Sequence, residues 1–425
     1  MKNILVLGGG FAGLWSAVGA ARNVEELGAR ADVKITLVNK TSYHNIRVRN
    51  YEADLSDVCV PLRDVLDPIG VELVQGDVRD IDLVAKRVAV AIAEDERSLS
   101  YDRMVFALGS QVVKPSIPGL AENAFDIDTF EAAQRLNAHI LQLAERPDSP
   151  GRATVVVVGA GLTGIEVATE LPAKLAATFG SHAPERPRVI LVDRNPLVGS
   201  NMGDDARPVI EEALRSGGVE FRGGVTVRRI DEGSITLDDL TLPASTVIWC
   251  AGMHANPLTA RFPVEPDHFG RLAVDEFMRV RGVADVFAAG DVAAAWIDDD
   301  HSTVMSCQHG RPMGRYAGHN VVADALGAPM LALHFDRYTT ILDLGSWGAV
   351  YTKGWDRKVF AQGATAKETK QRINRVRIYP PRSGDAKEIL AAGAPIVQAA
   401  PEVTVPGSAP PENAANGAYV RAGSG

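Results

Sequence analysis

Two glycine clusters with the same spacing lie far apart in the chain. Each reads Gly-x-Gly-x-x-Gly after a short apolar run, with glycines at Gly8, Gly10 and Gly13 and again at Gly159, Gly161 and Gly164. In this pattern one glycine permits a tight turn, another lets the backbone approach a pyrophosphate, and the third lets a helix pack on a strand. Main-chain amides and the helix dipole then hold the anion. Each cluster therefore predicts a dinucleotide cradle.

The elements around each cluster repeat as a unit. Residues 3–7 form an apolar run before the first cluster, a helix-compatible stretch follows, and a second apolar run occupies residues 33–38. The same order recurs from residue 155 to residue 192. A strand, turn, helix and strand found twice predict an α/β protein with two Rossmann-like dinucleotide-binding domains.

The residue after the second strand of each unit is expected to accept a hydrogen bond from an adenosine ribose. In the second unit this residue is Asp193, which favours NADH because a carboxylate repels a 2′-phosphate, while Arg194 leaves NADPH open. In the first unit it is Asn39, followed by Lys40, and both are expected to contact the cofactor. Two dinucleotide sites in one chain predict hydride transfer between a bound flavin and an exchangeable nicotinamide.

Four motifs make the chain resemble the two-dinucleotide-binding-domain flavoproteins, and among them the type II NADH dehydrogenase family. They are the two glycine clusters, the run Phe106-Ala107-Leu108-Gly109-Ser110, and the run Val286-Phe287-Ala288-Ala289-Gly290-Asp291. The resemblance implies that Asp291 binds the flavin and that Glu166 lies near the nicotinamide. The alternatives are an aspartate that caps its own turn and a glutamate that stabilises the first turn of a helix.

The implied FAD and NADH sites comprise two groups of residues. The FAD group is Gly8, Gly10, Phe11, Ala12, Gly13, Asn39, Lys40, Gly109, Gly290 and Asp291, and the NAD(P)H group is Gly159, Gly161, Thr163, Gly164 and Asp193. No metal is expected, because Cys59, Cys250 and Cys307 are widely separated and form no Cys-x-x-Cys pair. The same separation argues against a dithiol mechanism.

A third group of residues is expected near the electron acceptor. The family carries a pair of glutamines there, and this chain has Gln308 followed by His309 in place of the second glutamine. The residues that follow look helical, so the helix N-terminus would stabilise the negative charge of a reduced flavin. Glu166, Gln308 and His309 are the catalytic candidates, with His309 either relaying protons or capping the helix.

Composition and charge exclude several classes of function. The chain has 44 basic and 53 acidic residues, and a net charge of −9 without long blocks argues against nucleic-acid binding. No apolar run approaches the roughly 18 residues of a membrane-spanning helix. The N-terminus does not resemble a signal peptide, so a cytoplasmic location is expected.

The C-terminal region differs from the rest. Residues 364–375 are a candidate polar helix, and the stretch 363–377 is basic but poor in Trp, Phe and Leu, which indicates a solvated face rather than a tight membrane anchor. Residues 367–377 are also the candidate docking patch for a redox protein. From residue 401 onward the chain is rich in Pro, Gly, Ala and Ser, which predicts disorder.

The expected organisation is an FAD-binding domain formed by residues 1–120 and 253–330, interrupted by an NAD(P)H-binding domain at residues 121–252. A small α+β region at residues 331–400 and a disordered tail at residues 401–425 follow. The expected function is an FAD-dependent NAD(P)H oxidoreductase that passes electrons to a quinone-like or other small acceptor. The alternatives are a reductase for a ferredoxin- or rubredoxin-type protein and a non-catalytic FAD/NAD sensor. Whether the chain forms a homodimer is left open.

Overall fold

The computed structural model of the chain describes residues 1–180, 187–335, 338–399 and 402–403. The expected disordered tail lies outside the described residues, apart from residues 402 and 403. In the described ranges, no helix is both long enough and apolar enough to cross a membrane.

The first glycine cluster belongs to a five-stranded parallel sheet. In spatial order its strands are Val286–Ala288, Arg103–Phe106, Lys2–Leu7, Val33–Asn39 and Glu72–Gln75. The inner strands are continuous apolar runs because helices and loops cover both faces of a parallel sheet. The cluster follows the central strand and leads into the helix Phe11–Glu26, as the sequence predicts.

Two helices that are distant in sequence pack against each other on this sheet. Phe11–Glu26 and Cys307–Leu326 run parallel, and glycines bring their backbones together. A Cβ at Gly314 would lie 2.2 Å from the carbonyl oxygen of Ala12, and one at Gly318 would lie 2.1 Å from that of Ser16. Since nothing larger than glycine fits, the N-termini of both helices are held at the same end of the sheet.

The second glycine cluster belongs to a second five-stranded parallel sheet. Its strands, in spatial order, are Ala124–Phe125, Thr246–Trp249, Thr154–Val158, Arg188–Asp193 and Val219–Gly223. The helices of this unit are Phe130–Gln142, Leu162–Phe179 and Gly203–Ser216. The antiparallel pair Ser110–Val112 and Met253–Ala255 connects the two units, so the chain leaves and re-enters the first unit side by side.

Antiparallel sheets and short elements complete the described fold. The three-stranded sheets are Asp77–Asp82, Arg87–Ile92 and Asp95–Ser100; Val227–Asp231, Ser234–Leu237 and Leu240–Pro243; and Thr339–Asp343, Ala349–Lys353 and Lys358–Gly363. The strand pairs are Tyr43–Asn45 with Cys59–Pro61 and Leu272–Ala273 with Ala293–Ala294. The remaining α-helices of the described residues are Leu62–Leu66, Leu120–Asn123, Ala364–Arg372, which continues into the π-helical turn Ile373–Arg377, and Ala386–Ala392. The short 3-10 helices are Arg47–Arg49, Asp67–Ile69, Ser200–Met202, Pro257–Arg261, Gly290–Val292 and Gly345–Trp347.

Candidate active site

The first cradle requires glycine at two positions and leaves a third open. Gly8 has φ +103°, and a Cβ there would lie 2.4 Å from the Ala107 carbonyl oxygen. A Cβ at Gly13 would lie 1.9 Å from the carbonyl oxygen of Gly8. At Gly10 an added Cβ would meet nothing within 4 Å. Gly8 and Gly13 therefore shape the turn, while Gly10 faces open space where a pyrophosphate fits.

The second cradle repeats this geometry. Gly159 has φ +105°, and a Cβ there would lie 2.9 Å from Ala251 Cα. A Cβ at Gly164 would lie 1.7 Å from the Gly159 carbonyl oxygen, whereas one at Gly161 would meet nothing within 4 Å. The two clusters thus place their glycines in equivalent structural roles.

The helices that start at the two cradles have no side-chain cap. Gly10 and Gly161 are the N-cap residues, and neither helix has an acidic residue in its first turn. By contrast, Thr129, Ser306 and Asp385 each cap a helix with a side-chain oxygen. An uncapped helix start leaves backbone amides for an anion, so both cradles fit the pyrophosphate of a dinucleotide.

The residues after the second strands hold the glycine loops. The Gly9 amide donates to Asn39 Oδ1 at 2.8 Å, and the Ala160 amide donates to Asp193 Oδ2 at 2.5 Å. Asn39 and Asp193 are therefore structural equivalents. Lys40 points away: its side chain is 75% exposed and pairs with Asp77 at 3.2 Å. The placement of Lys40 does not bring it to the cradle, contrary to expectation.

A cavity of about 910 Å³ extends from the first cradle to the second unit and on to the C-terminal region. The sequence-predicted residues that line it are Gly10, Phe11, Ala12, Asn39, Gly109, Thr163, Glu166, Gly290, Asp291 and Gln308. Those that do not line it are Gly8, Gly13, Lys40, Gly159, Gly161, Gly164, Asp193 and His309. The cavity is therefore continuous with the first cradle and reaches the first turns of the Leu162–Phe179 helix.

Asp291 is held from outside its own turn. Its Oδ2 accepts a hydrogen bond from Ser110 Oγ at 2.6 Å, and Arg47 Nη1 lies 3.9 Å from the same oxygen. Arg47 also pairs with Asp128. The alternative of an aspartate that caps its own turn is wrong, because no side chain caps this turn. Arg47, which no motif indicated, lines the cavity beside Asp291.

Glu166 is buried and belongs to an ion pair with Lys370. Lys370 Nζ donates to Glu166 Oε1 at 2.8 Å, and the Asp343 amide donates to the same oxygen at 3.2 Å. Burial raises the pKa of Glu166, although Lys370 opposes this rise. Burial disfavours the charged form of Lys370, but the attraction of Glu166 outweighs it and raises the pKa of the lysine. Both side chains line the cavity.

This arrangement corrects two expectations. Glu166 lies beyond the first turn of its helix, which holds no acidic residue, so the first-turn alternative is wrong. The helix Ala364–Arg372 was expected to have a solvated basic face, yet Lys367 Nζ lies 2.5 Å from Asp343 Oδ1 and Lys370 faces Glu166. The stripe of Ala366, Thr369 and Ile373 indicates the buried side of this helix, and Lys370 falls within it.

Gln308 and His309, the two candidates expected near the electron acceptor, occupy different environments in the structure. Gln308 lines the cavity and donates from Nε2 to Thr339 Oγ1 at 3.2 Å. His309 is 0% exposed behind the cavity wall, where its Nδ1 accepts the Val304 amide at 2.8 Å. Burial lowers the pKa of His309 to about 4, so the ring is neutral at pH 7. Ser306, not His309, caps the helix, and the placement of His309 supports neither the proton relay nor the cap.

The three cysteines are unpaired, and burial raises the pKa of Cys307 and of Cys250. In the part of the chain that the structure describes, no three His, Cys, Asp or Glu side chains form a metal-binding group.

Sequence reasoning missed most of the C-terminal wall of the cavity. The residues concerned carry no motif and come from separate segments; they are Arg311, Tyr338, Thr339, Ile341, Lys370, Ile373, Asn374, Arg377, Ile378, Val397, Gln398 and Ala399. Only the buried stripe that begins in the Ala364–Arg372 helix could have indicated two of them, Lys370 and Ile373.

Comparisons with known proteins agree with this geometry. Residues 2–314 match the family model described as pyridine nucleotide-disulphide oxidoreductase. The chain is 56% identical over 403 residues to the NADH dehydrogenase-like protein Rv1812c of Mycobacterium tuberculosis, covering 94% of this chain and 100% of that protein. It is 25% identical to the type II NADH:quinone oxidoreductase of Staphylococcus saprophyticus, covering 82% and 89% of the two chains.

A solved structure has the same fold. NDH2 from Plasmodium falciparum in complex with NADH superposes with a TM-score of 0.75 at 14% identity, covering 92% of this chain and 97% of that one. The family match covers both glycine clusters and the Gly290-Asp291 motif, which confirms the predicted fold class of two Rossmann-like domains. The chain belongs to the pyridine nucleotide-disulphide oxidoreductase family, and it is an oxidoreductase that uses FAD and NADH.

Proposed function

We propose that this protein oxidises NADH through bound FAD and passes the electrons to a quinone. The named functions of its relatives from M. tuberculosis and S. saprophyticus support this proposal. The observation that carries it is that one continuous cavity joins the first cradle, the start of the Leu162–Phe179 helix and the C-terminal wall. A donor and an acceptor can therefore both reach one bound cofactor.

The residues present fit an FAD at the first cradle. Gly10 leaves room for the pyrophosphate, the uncapped helix Phe11–Glu26 offers its amides, and Asn39 holds the loop. Asp291, fixed by Ser110, faces the same cavity and is proposed to bind the ribityl region. When bound, FAD supplies hydride acceptance from NADH and electron donation to the quinone.

The chain's own residues position the reactants and supply protons. Glu166 Oε1 and Lys370 Nζ form a buried pair at the cavity surface, and we assign to this pair the task of holding a proton near the acceptor. Gln308, anchored to Thr339, is proposed to hydrogen-bond the acceptor. The start of the Cys307–Leu326 helix adds positive potential at the same wall.

Charge placement disfavours reduction of a protein partner through residues 367–377. Lys367 and Lys370 point inward to Asp343 and Glu166, which leaves a smaller basic surface than the sequence indicates. Among the described residues of this segment, Arg372 and Arg375 are exposed. Two exposed arginines make a weak docking patch.

The proposal is tested in two half-reactions with the purified holoenzyme. Anaerobic NADH should bleach the flavin absorbance, and menadione added afterwards should restore it. Glu166→Gln should slow the second step more than the first, while Lys387→Met, at an exposed lysine, should change neither. A flavin that NADH does not bleach contradicts the function. Reoxidation only by an added iron–sulfur protein would favour the protein-partner alternative, and slow turnover with every acceptor would favour a sensor.

A further inference from the structure

The carboxylates that line the cavity all lie near a cation, but not every lining cation lies near a carboxylate. Arg47 pairs with Asp128 and approaches Asp291, and Lys370 pairs with Glu166. The remaining lining carboxylate, Asp126, pairs with Lys114. Two lining cations, Arg311 and Arg377, have no carboxylate within ion-pair distance in the residues that the structure describes.

Arg311 is a buried cation with an incomplete set of partners. Arg311 is 6% exposed, and its Nη1 donates to Gln398 Oε1 at 3.2 Å. Its Nε is buried and has no acceptor among the described residues. The guanidinium carbon lies over the Trp15 ring, 5.1 Å from its centre, and that of Arg315 lies over the same ring at 4.4 Å. Burial lowers the pKa of Arg311 to about 10; the Cys307 thiol opposes this, and Arg377 adds to it.

Arg377 lines the same cavity as Arg311, and its positive charge contributes to the lowered pKa of Arg311. Its Nη2 donates to the carbonyl oxygen of Ala399 at 2.5 Å, and burial lowers its pKa. Among the described residues, both guanidiniums donate to neutral oxygens, and both oxygens belong to residues 398–399. Uncompensated buried charges are costly, and a guanidinium binds a carboxylate more strongly than it binds an amide.

The rest of this wall is suited to an aromatic ring. Ile373, Ile378 and Val397 contribute apolar surface to the same cavity that Arg311 and Arg377 line. Residues 398–399 thus contact both cations in a cavity that also has an apolar wall.

We propose that Arg311 and Arg377 form a binding site for the carboxylate of an aromatic ligand, which replaces the contacts of Gln398 and Ala399. This inference rests on the proposed function, since it specifies the acceptor as a quinone whose ring carries an anionic group. Residues 398–399 then act as a neutral substitute that leaves when the ligand enters. Guanidiniums recognise carboxylates through paired N–H donors, so the site selects for the charged group.

The test compares 2-naphthoate with its neutral analogue 2-naphthamide, because neither compound is reduced. Binding to the oxidised holoenzyme is measured by calorimetry without NADH. The naphthoate should bind at least about tenfold more tightly, the scale expected for hydrogen bonds between charged groups. Arg377→Gln should remove this preference. Arg375→Gln, at an exposed arginine two residues away, should preserve it.

Several outcomes would overturn the inference. Equal affinities in the unaltered enzyme, or a preference that persists in Arg377→Gln, exclude the site. Retained flavin absorbance shows that Arg377→Gln is folded, and as a second measurement the naphthoate affinity of the unaltered enzyme should fall with added salt. If the enzyme prefers naphthoate but NADH does not bleach its flavin, the anion site is supported and the proposed function is contradicted. If quinone turnover is normal but naphthoate is not preferred, the proposed function is supported and the anion site is contradicted.

Discussion

Lys370 Nζ lies 2.8 Å from Glu166 Oε1, although the two residues are 204 positions apart in the chain. The pair joins the Leu162–Phe179 helix of the second unit to the Ala364–Arg372 helix of the C-terminal region. It thereby fixes the position of the C-terminal wall relative to the start of the second cradle's helix.

Removal of one member of this pair should be costly. Lys370→Met leaves Glu166 buried without its cation, and we expect a loss of about 3–5 kcal/mol in the free energy of unfolding. Glu166→Gln should cost less, because the amide oxygen can still accept from Lys370. Urea denaturation of both variants and of the double variant checks this. A double variant that is less stable than Lys370→Met would contradict the argument.

A substitution in one cradle should impair the binding of one dinucleotide and leave the binding of the other unchanged. A side chain at Gly10 or Gly161 meets no protein atom but enters the space assigned to a pyrophosphate. Gly10→Val should therefore yield folded, colourless protein. Gly161→Val should keep its flavin but weaken NADH binding by about tenfold or more, because overpacking costs about 1–3 kcal/mol. Flavin absorbance, circular dichroism and NADH titration separate the outcomes; loss of flavin in both variants would argue against separate sites.

His309 should matter for acid stability and not for turnover. Its pKa is about 4 in the folded chain and 6.5 as an isolated group, so its contribution to stability is present above pH 6.5 and is lost as the pH falls toward 4. At pH 5 the loss of unfolding free energy caused by His309 amounts to about 2 kcal/mol.

His309→Asn should thus show a smaller drop in unfolding free energy between pH 7 and pH 5 than the unaltered chain. His44, which has the same lowered pKa, still contributes in both. Turnover at pH 7 should remain within about twofold, whereas loss of a proton relay would cost about 100-fold or more. The exposed His268 provides a matched substitution that should alter neither property.

Asp193 should set the preference between NADH and NADPH. The Ala160 and Asn195 amides orient its carboxylate at the end of the second strand, where it would repel a 2′-phosphate. Asp193→Asn keeps an acceptor for the loop, as Asn39 does in the first unit, and removes the charge. We expect the NADPH-to-NADH ratio of kcat/KM to rise by about tenfold, or ~1.4 kcal/mol. An unchanged ratio would mean that another residue decides the preference.

Residue order alone predicted the two cradles, the order of the elements around them and the family. No Cβ fits at four of the cluster glycines, which are Gly8, Gly13, Gly159 and Gly164. Such local requirements of the backbone can be recognised from the spacing of glycines in the sequence. The residue bounds assigned to the domains and the roles assigned to the site residues stay predictions.

Which side chains share the cavity follows from the packing of the folded chain. It paired Lys370 with Glu166, moved His309 behind the wall, and brought Arg311 and Arg377 together from two distant helical segments. Such contacts depend on how whole helices pack and on which charges become desolvated together. No spacing within a single segment encodes that packing.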